Sequence, residues 1–255
     1  MLAGQLGIIG SATSPDPSTQ SSSQSTDKAD GGHSSNGSGT DNANGTGGVG
    51  GTDGADGDNQ DTVTDNPLKI VESGWSADQQ GYVHYAFALR NTSKTQQVQY
   101  PQITITGRAK DGSIVFSQTQ ALNMAFPNQT VYDAGQAGEG TAPETVDFTV
   151  LNPDTYNVAK AQGTAAFPIS GISKIDNRDG GTTFNGEVRA VADGFKPSDG
   201  QQIKISLVLR NAQNAIIYGD IAFVDWPGNG RSTPFSITVY DLPKYVSYDL
   251  YAQIW

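Results

Sequence analysis

The sequence predicts an all-β protein in which two tandem immunoglobulin-like β-sandwich domains follow a disordered N-terminal tail. A hairpin pattern occurs twice, in residues 103–116 and 203–218, each time as alternating apolar residues, a polar turn and a β-branched or aromatic return. All 22 aromatic residues lie between Trp75 and Trp255. No stretch of ten or more residues has the apolar spacing of an amphipathic helix. Short strands at intervals of about 8 to 12 residues are typical of such sandwiches.

Residues 1–66 are predicted to be a disordered Gly/Ser/Asp-rich tether. They contain no aromatic residue, nine aspartates, no glutamate and one lysine, a net charge of −8, which leaves −3 of the total −11 for residues 67–255. So few apolar side chains cannot offset the entropy of ordering. A tether of this kind would hold the folded part away from a surface.

Domain 1 is predicted to span residues 67–168. Residues 68–75 form its first strand, and residues 82–89 form a second strand whose odd positions face the core. The hairpin follows, with Gly112 at the turn position that needs a positive φ. Further strands are predicted near 120–126, 145–151 and 156–167.

Domain 2, residues 169–255, is predicted to repeat the plan. Its short junction with domain 1, Phe167-Pro168-Ile169, implies that the two domains lie close together. Two shorter matches support the repeat: Phe126-Pro127 corresponds to Trp226-Pro227, and residues 148–150 correspond to 235–237. The predicted strands are 172–176, 183–191, 202–210, 215–224, 234–240 and 248–255.

The order of motifs in domain 1 resembles a known family. A strand ends in Leu89-Arg-Asn-Thr-Ser93, a hairpin turns at Ala109-Lys-Asp-Gly-Ser113, and a Phe-x-Val strand follows at 148–150. This order is similar to the immunoglobulin-like FxLYD-type modules of Gram-positive secreted proteins and lipoproteins. The Phe-x-Leu-Tyr-Asp motif itself is absent, so the resemblance transfers no functional residue. It implies a secreted or cell-surface, extracytoplasmic location.

The N-terminus also resembles that of a lipoprotein. Leu2-Ala3-Gly4 is similar to the residues before the lipidated cysteine of bacterial lipoproteins, but position 5 is Gln. Membrane tethering through a lipid anchor would therefore need a cysteine that is absent from this chain. The sequence contains no transmembrane segment, because no apolar run approaches the roughly 18 to 20 residues that span a bilayer.

Composition also argues against several kinds of site. With no cysteine, thiolate catalysis, thiolate metal sites and disulfides are excluded. The only histidines are His33, in the predicted tail, and His84, which is expected to point outward with no second group to orient it. Asp176–Gly180 fails the EF-hand pattern and is interpreted as a turn. We therefore expect no catalytic residue, no metal site, no cofactor and no nucleic-acid partner.

Aromatic side chains are the better candidates for binding. In residues 248–255, alternation places Leu250, Ala252 and Ile254 on the core face and Tyr251 and Trp255 on the other. Two such rings on one exposed strand can stack on a sugar or anchor an interface. Tyr251 and Trp255 are the candidate binding platform, and the alternative is that both cover the junction with domain 1.

These features favour a non-enzymatic, extracytoplasmic pair of binding modules on a flexible tether, whose partner is an unknown protein or a cell-wall glycan. One alternative is a pair of carbohydrate-binding modules. Another, of a different class, is a small hydrolase that uses two carboxylates, which 26 acidic residues do not exclude.

Overall fold

The computed structural model describes residues 66–255. This range folds into seventeen β-strands and one 3₁₀ turn, Thr155–Asn157. Within it, no helix is both long and apolar enough to cross a bilayer. The predicted all-β fold is confirmed. The predicted tether lies outside the described residues, except for Asn66.

Nine strands belong to the first half of the described chain. They are β1 (Leu68–Ala77), β2 (Val83–Asn91), β3 (Gln96–Gln99), β4 (Gln102–Arg108), β5 (Ile114–Ala121), β6 (Met124–Ala125), β7 (Thr130–Ala137), β8 (Thr145–Val150) and β9 (Val158–Lys160). Strands β1–β2–β7 form sheet A and strands β5–β4–β8 form sheet B, both antiparallel. A third small sheet has the order β6–β3–β9.

Eight strands follow in the second half, which begins with β10, a strand that precedes the predicted domain boundary. They are β10 (Thr164–Ala166), β11 (Ile169–Asp176), β12 (Thr182–Arg189), β13 (Val191–Asp193), β14 (Gln202–Arg210), β15 (Ile216–Asp225), β16 (Ser232–Val239) and β17 (Ser247–Ile254). Strands β11–β12–β16 form sheet C, strands β15–β14–β17 form sheet D, and β10 pairs with β13. Sheets C and D are also antiparallel throughout.

Two apolar clusters fill the sandwiches. The first lies between sheets A and B and contains the predicted inward face of β2, Val83, Tyr85, Phe87 and Leu89, all buried, so that prediction is confirmed. The second lies between sheets C and D and includes Phe184 of β12. Each half therefore buries an apolar layer between two sheets, as sandwich packing requires.

The two predicted hairpins are present and share a detail. Strands β4 and β5 are joined by a turn in which Gly112 has φ +84°, and β14 and β15 by a turn in which Asn214 has φ +62°. Each hairpin contains a bulge directly before the turn, at Gly107/Arg108 in the first and Leu209/Arg210 in the second. The same local irregularity in both copies supports the internal repeat.

One of the matches used to predict the repeat is wrong. Phe148 lies in β8 and pairs with Ile105 of β4, whereas Phe235 lies in β16 and pairs with Gly186 of β12. The residue that corresponds to Phe148 is Leu250, because it pairs with β14 as Phe148 pairs with β4. A Phe-x-Val or Phe-x-Ile pattern indicates a strand with one buried face, but it does not indicate which neighbouring strand it pairs with.

Strand β2 is buried on both faces, which the sequence did not predict. Ala86 and Ala88 lie on its second face, and both are fully buried. Ala86 belongs to a third apolar cluster, with Ala134 from sheet A and Val208 and Ile216 from sheet D. Sheets A and D therefore pack against each other, and we call this contact the junction.

Contacts cross the predicted domain boundary at residues 168 and 169 in other places as well. Strand β10 precedes the boundary but pairs with β13 beyond it. Met124 and Phe126 of the first half pack in the apolar cluster of the second. The division into residues 67–168 and 169–255 stays a prediction, and the two parts share an extensive contact.

Candidate functional site

The predicted platform residues have separate neighbours. Tyr251 stacks on Tyr132 of sheet A, with ring centroids 3.6 Å apart and an angle of 6° between the rings. The ring of Trp255 packs against Phe223, and the Nζ atom of Lys204 lies 4.6 Å from its centroid. Both aromatic side chains are half-buried. Tyr251 thus lies in the junction, as expected from the alternative in which the ring covers the contact with domain 1. Ligand binding by Tyr251 and Trp255 stays a prediction.

A network of charged side chains surrounds the two stacked tyrosines. Arg210 holds Glu72 through two hydrogen bonds, from Nη1 to Oε2 at 2.8 Å and from Nη2 to Oε1 at 3.0 Å. Its Nε atom donates to Oδ2 of Asp249 at 2.8 Å, and the hydroxyl of Tyr132 donates to Glu72 at 2.5 Å. This bidentate geometry is the strong form of an arginine–carboxylate contact. It joins β1 and β7 of sheet A to β14 and β17 of sheet D.

The pKa values of this network follow from its contacts. The hydrogen bonds from Arg210, against the effect of burial, hold the pKa of Glu72 below its usual value. Burial, reinforced by the hydrogen bond to Glu72, raises the pKa of Tyr132. Glu72 is therefore ionised and Tyr132 neutral at pH 7, which are the states that their hydrogen bond requires.

A second ion pair lies deeper in the junction. The Nζ atom of Lys204 donates to Oδ1 of Asp133 at 2.6 Å, and the two side chains are 2% and 0% exposed. The amide of Gln253 donates to the same oxygen at 2.7 Å, whereas Oδ2 of Asp133 has no partner within the described residues. Burial raises the pKa of Asp133, and the ammonium of Lys204 opposes this rise. A buried carboxylate needs such a partner to remain charged.

The junction depends on residues without bulky side chains. A Cβ atom at Gly74 would overlap the carbonyl oxygen of Ile216, and one at Gly219 would overlap the carbonyl oxygen of Tyr85. The backbones of sheets A and D therefore approach each other directly at these two points. Any side chain there would force the sheets apart.

The expectation that His84 points outward without a second group to orient it is wrong. Its Nε2 atom lies 3.3 Å from Oδ2 of Asp78 and 3.4 Å from the amide of Gln136. Its ring stacks on Tyr218 of sheet D, with centroids 4.7 Å apart. Although burial opposes it, hydrogen bonds from the Tyr82 N–H and from His84 hold the pKa of Asp78 below its usual value. Asp78 and Gln136 of the first half therefore orient the imidazole, and Tyr218 of the second half covers it.

Sequence reasoning missed these charged residues. In β14 the polar side chains Lys204, Ser206 and Arg210 alternate with apolar ones, and such a face normally meets water. A signal was present in sheet A, where Ala86 and Ala88 of β2 are small enough for another sheet to approach. Among residues 66–255, no group of three or more His, Cys, Asp or Glu side chains is placed to hold a metal ion.

An open cleft of about 450 Å³ lies apart from this network. One wall comes from the small sheet β6–β3–β9 of the first half, and the other from residues 194–196, which follow β13 of the second half. Its side chains are amides, lysines and a few apolar groups: Gln97, Gln99, Lys160, Gln162, Phe195 and Lys196 among them.

Comparisons with known proteins add little. No family model and no curated protein matches this sequence. Among solved structures, the exo-chitosanase CsxA of Amycolatopsis orientalis is similar over 69% of this chain and 24% of that chain, with 10% identity and a TM-score of 0.20. The chain thus spans about a quarter of the length of that enzyme. A TM-score this low carries no argument about fold or function.

Proposed function

We propose that this protein is a non-enzymatic binding protein of a bacterial cell surface. Residues 66–255 act as one binding unit, and the N-terminal residues serve as the tether that displays it. The partner is a protein or a glycan of that surface. The extracytoplasmic location and the tether rest on the composition of the sequence and its resemblance to modules of secreted proteins.

One observation carries the proposal of a binding function. The buried charged side chains of the described residues join sheet A to sheet D. Asp133 is paired with Lys204, and Arg210 with Glu72 and Asp249. Catalytic acids and bases must reach a substrate, whereas these groups reach one another across the junction. Their arrangement supports a role in holding two modules in a fixed relation.

A hydrolase that uses a histidine, unlike one that uses two carboxylates, has its own observation, the contact of Asp78 with His84. A carboxylate that orients an imidazole is part of many nucleophilic sites. Here the imidazole is stacked on Tyr218, and its side chain is only 17% exposed. We therefore assign this pair to the junction and use it to separate the two functions by experiment.

The test combines retention and hydrolysis. The full chain is mixed with isolated cell walls of a Gram-positive bacterium, the walls are sedimented, and bound protein and released reducing sugar are both measured. We expect saturable retention without release of sugar, and the same retention for His84→Ala. Trypsin treatment of the walls beforehand distinguishes a protein partner from a glycan.

Two results would contradict the proposal. One is the absence of saturable retention on treated and untreated walls. The other is release of reducing sugar by the wild type. If His84→Ala abolishes this release while its circular dichroism stays that of the wild type, catalysis belongs to the Asp78–His84 pair; if the release persists, it belongs to other groups, such as a pair of carboxylates.

A further inference from the structure

The cleft between β3, β9 and residues 194–196 has an unusual composition for this chain. Two of its lining residues are lysines, three are glutamines and none is acidic, although the whole chain has a net charge of −11. Lys160 and Lys196 are exposed, and neither lies within ion-pairing distance of a carboxylate in the part of the chain that the structure describes. The cleft is therefore a local concentration of unpaired positive charge.

The base of the cleft is fixed by close packing. A Cβ atom at Gly163 would overlap the backbone of Phe195, so the two segments cross in direct contact. The ring of Phe195 stands edge-on to Phe126 of the first half, with centroids 5.7 Å apart and an angle of 85°. It also packs near Trp226, at 6.2 Å. Both walls are thus held by the folded body, and the cleft is formed before any ligand arrives.

Two exposed tyrosines continue the strands that line the cleft. Tyr100 directly follows Gln99 of β3, is 57% exposed and has φ +50°, a conformation that non-glycine residues seldom adopt. Tyr156 lies in the turn that leads into β9 and is 79% exposed. Exposed tyrosines are amphipathic rings of the kind that stack on the apolar face of a sugar.

We propose that this cleft binds an anionic glycan, a chain of hydroxyl-bearing units with regularly spaced negative charges. The inference rests on the binding function proposed above and names its ligand class. Glutamine amides can donate to and accept from sugar hydroxyls, and the lysine ammonium groups attract carboxylates or phosphates. The negative charges come either from uronic acid carboxylates or from phosphodiester links, because both offer the same acceptors to lysine.

The experiment measures binding of defined probes to the full chain by titration calorimetry. The probes are tetragalacturonate, a tetramer of glycerol phosphate, neutral cellotetraose and inorganic phosphate. We expect at least one of the two charged tetramers to bind and the neutral tetramer to bind about tenfold more weakly or not at all. Which charged tetramer binds identifies the source of the negative charge.

Variants locate the binding site. Lys160→Ala with Lys196→Ala should weaken binding of the charged tetramer at least about tenfold, since two charged hydrogen-bond donors are lost. The matched control is Lys110→Ala with Lys244→Ala, which removes the same charge from exposed positions outside the cleft. Its affinity should stay within about twofold of the wild type, because distant exposed charges are screened by salt. Melting temperatures show whether each variant is folded.

Three results would overturn the proposal. Neither charged tetramer binds the wild type; both double variants weaken binding equally; or inorganic phosphate competes as well as the tetramer does, which would show an adventitious ion only.

Retention on cell walls separates this inference from the proposed function. If walls retain the wild type and the Lys160/Lys196 variant equally, the cleft is wrong and the binding function stands. If walls retain neither, the proposed binding function is wrong, and the tetramer titrations decide whether the cleft binds an anionic glycan.

Discussion

Replacing Lys204 with Met is expected to lower the free energy of unfolding by about 3 to 5 kcal/mol. The substitution keeps most of the side-chain volume but removes the charge that faces Asp133 across the junction. The Asp133 carboxylate would then be fully buried with the amide of Gln253 as its remaining hydrogen-bond donor among side chains. An uncompensated charge in such a place is costly, whatever the net value of the original pair.

The double variant Asp133→Asn with Lys204→Met separates the lost charge pair from lost packing. It leaves no charge at this position of the junction, so it should recover most of the stability that Lys204→Met loses. Lys69→Met is the matched control, because Lys69 is exposed on β1. Its effect should be within about 0.5 kcal/mol in urea unfolding. A Lys204→Met variant as stable as this control would show that the Asp133–Lys204 pair is not buried as described.

Replacing Phe87 with Ala is expected to cost about 3 to 5 kcal/mol, because it opens a cavity in a dense aromatic layer. Phe87 is 0% exposed, and its ring centroid lies 6.1 Å from that of Tyr85 and 6.0 Å from that of Phe148. These rings come from both sheets of the first sandwich. The lost contacts therefore include those that hold sheet A to sheet B.

Ile114→Ala is the control for Phe87→Ala. Ile114 lies on β5 of the same sandwich but is 60% exposed, so its replacement should change the free energy of unfolding by less than about 0.5 kcal/mol. Urea unfolding at one pH and temperature compares the variants. Equal stability of the Phe87→Ala and Ile114→Ala variants would mean that the inward face of β2 has been assigned to the wrong residues.

The sequence allowed many of the strands, both hairpins and the inward face of β2 to be predicted, since these depend on alternation and turn residues that are local in the chain. Strand β7, which supplies Tyr132 and Asp133 to the junction, is not among the predicted strands. The junction could not be predicted in the same way. Alternation indicates which residues share a face, but not whether water or another sheet covers it. Alternation alone puts Ala86 and Tyr251 on faces that point away from their own sandwich, and sheets D and A cover these faces.

A comparison of the two repeats shows why sheet D forms the junction and sheet B does not. Sheets B and D occupy corresponding places, because Arg108 pairs with Thr145 as Arg210 pairs with Ser247. The matching face of sheet B is polar: Thr106 and Thr149 stand where sheet D has Val208 and Tyr251. Sheet B thus lacks the apolar and aromatic contacts that cover sheet D.

The ion pairs at corresponding positions of sheets B and D differ in the same way. Arg108 contacts Asp147 on sheet B as Arg210 contacts Asp249 on sheet D. The pair on sheet B is largely exposed, whereas Arg210 is buried and also holds Glu72 from the other half. An exposed pair such as Arg108–Asp147 contributes little to stability. The corresponding pair, Arg210–Asp249, belongs to the junction because Arg210 also contacts Glu72. A comparison of the two hairpins in the sequence alone could have revealed this correspondence, but not the partner.

The central claim of this account is that the junction joins the two halves into one cooperative unit. Differential scanning calorimetry of the full chain tests it directly. The account predicts a single unfolding transition whose calorimetric and van't Hoff enthalpies are equal within error. Two resolved transitions, or a calorimetric enthalpy about twice the van't Hoff value, would show that the halves unfold independently and would contradict it.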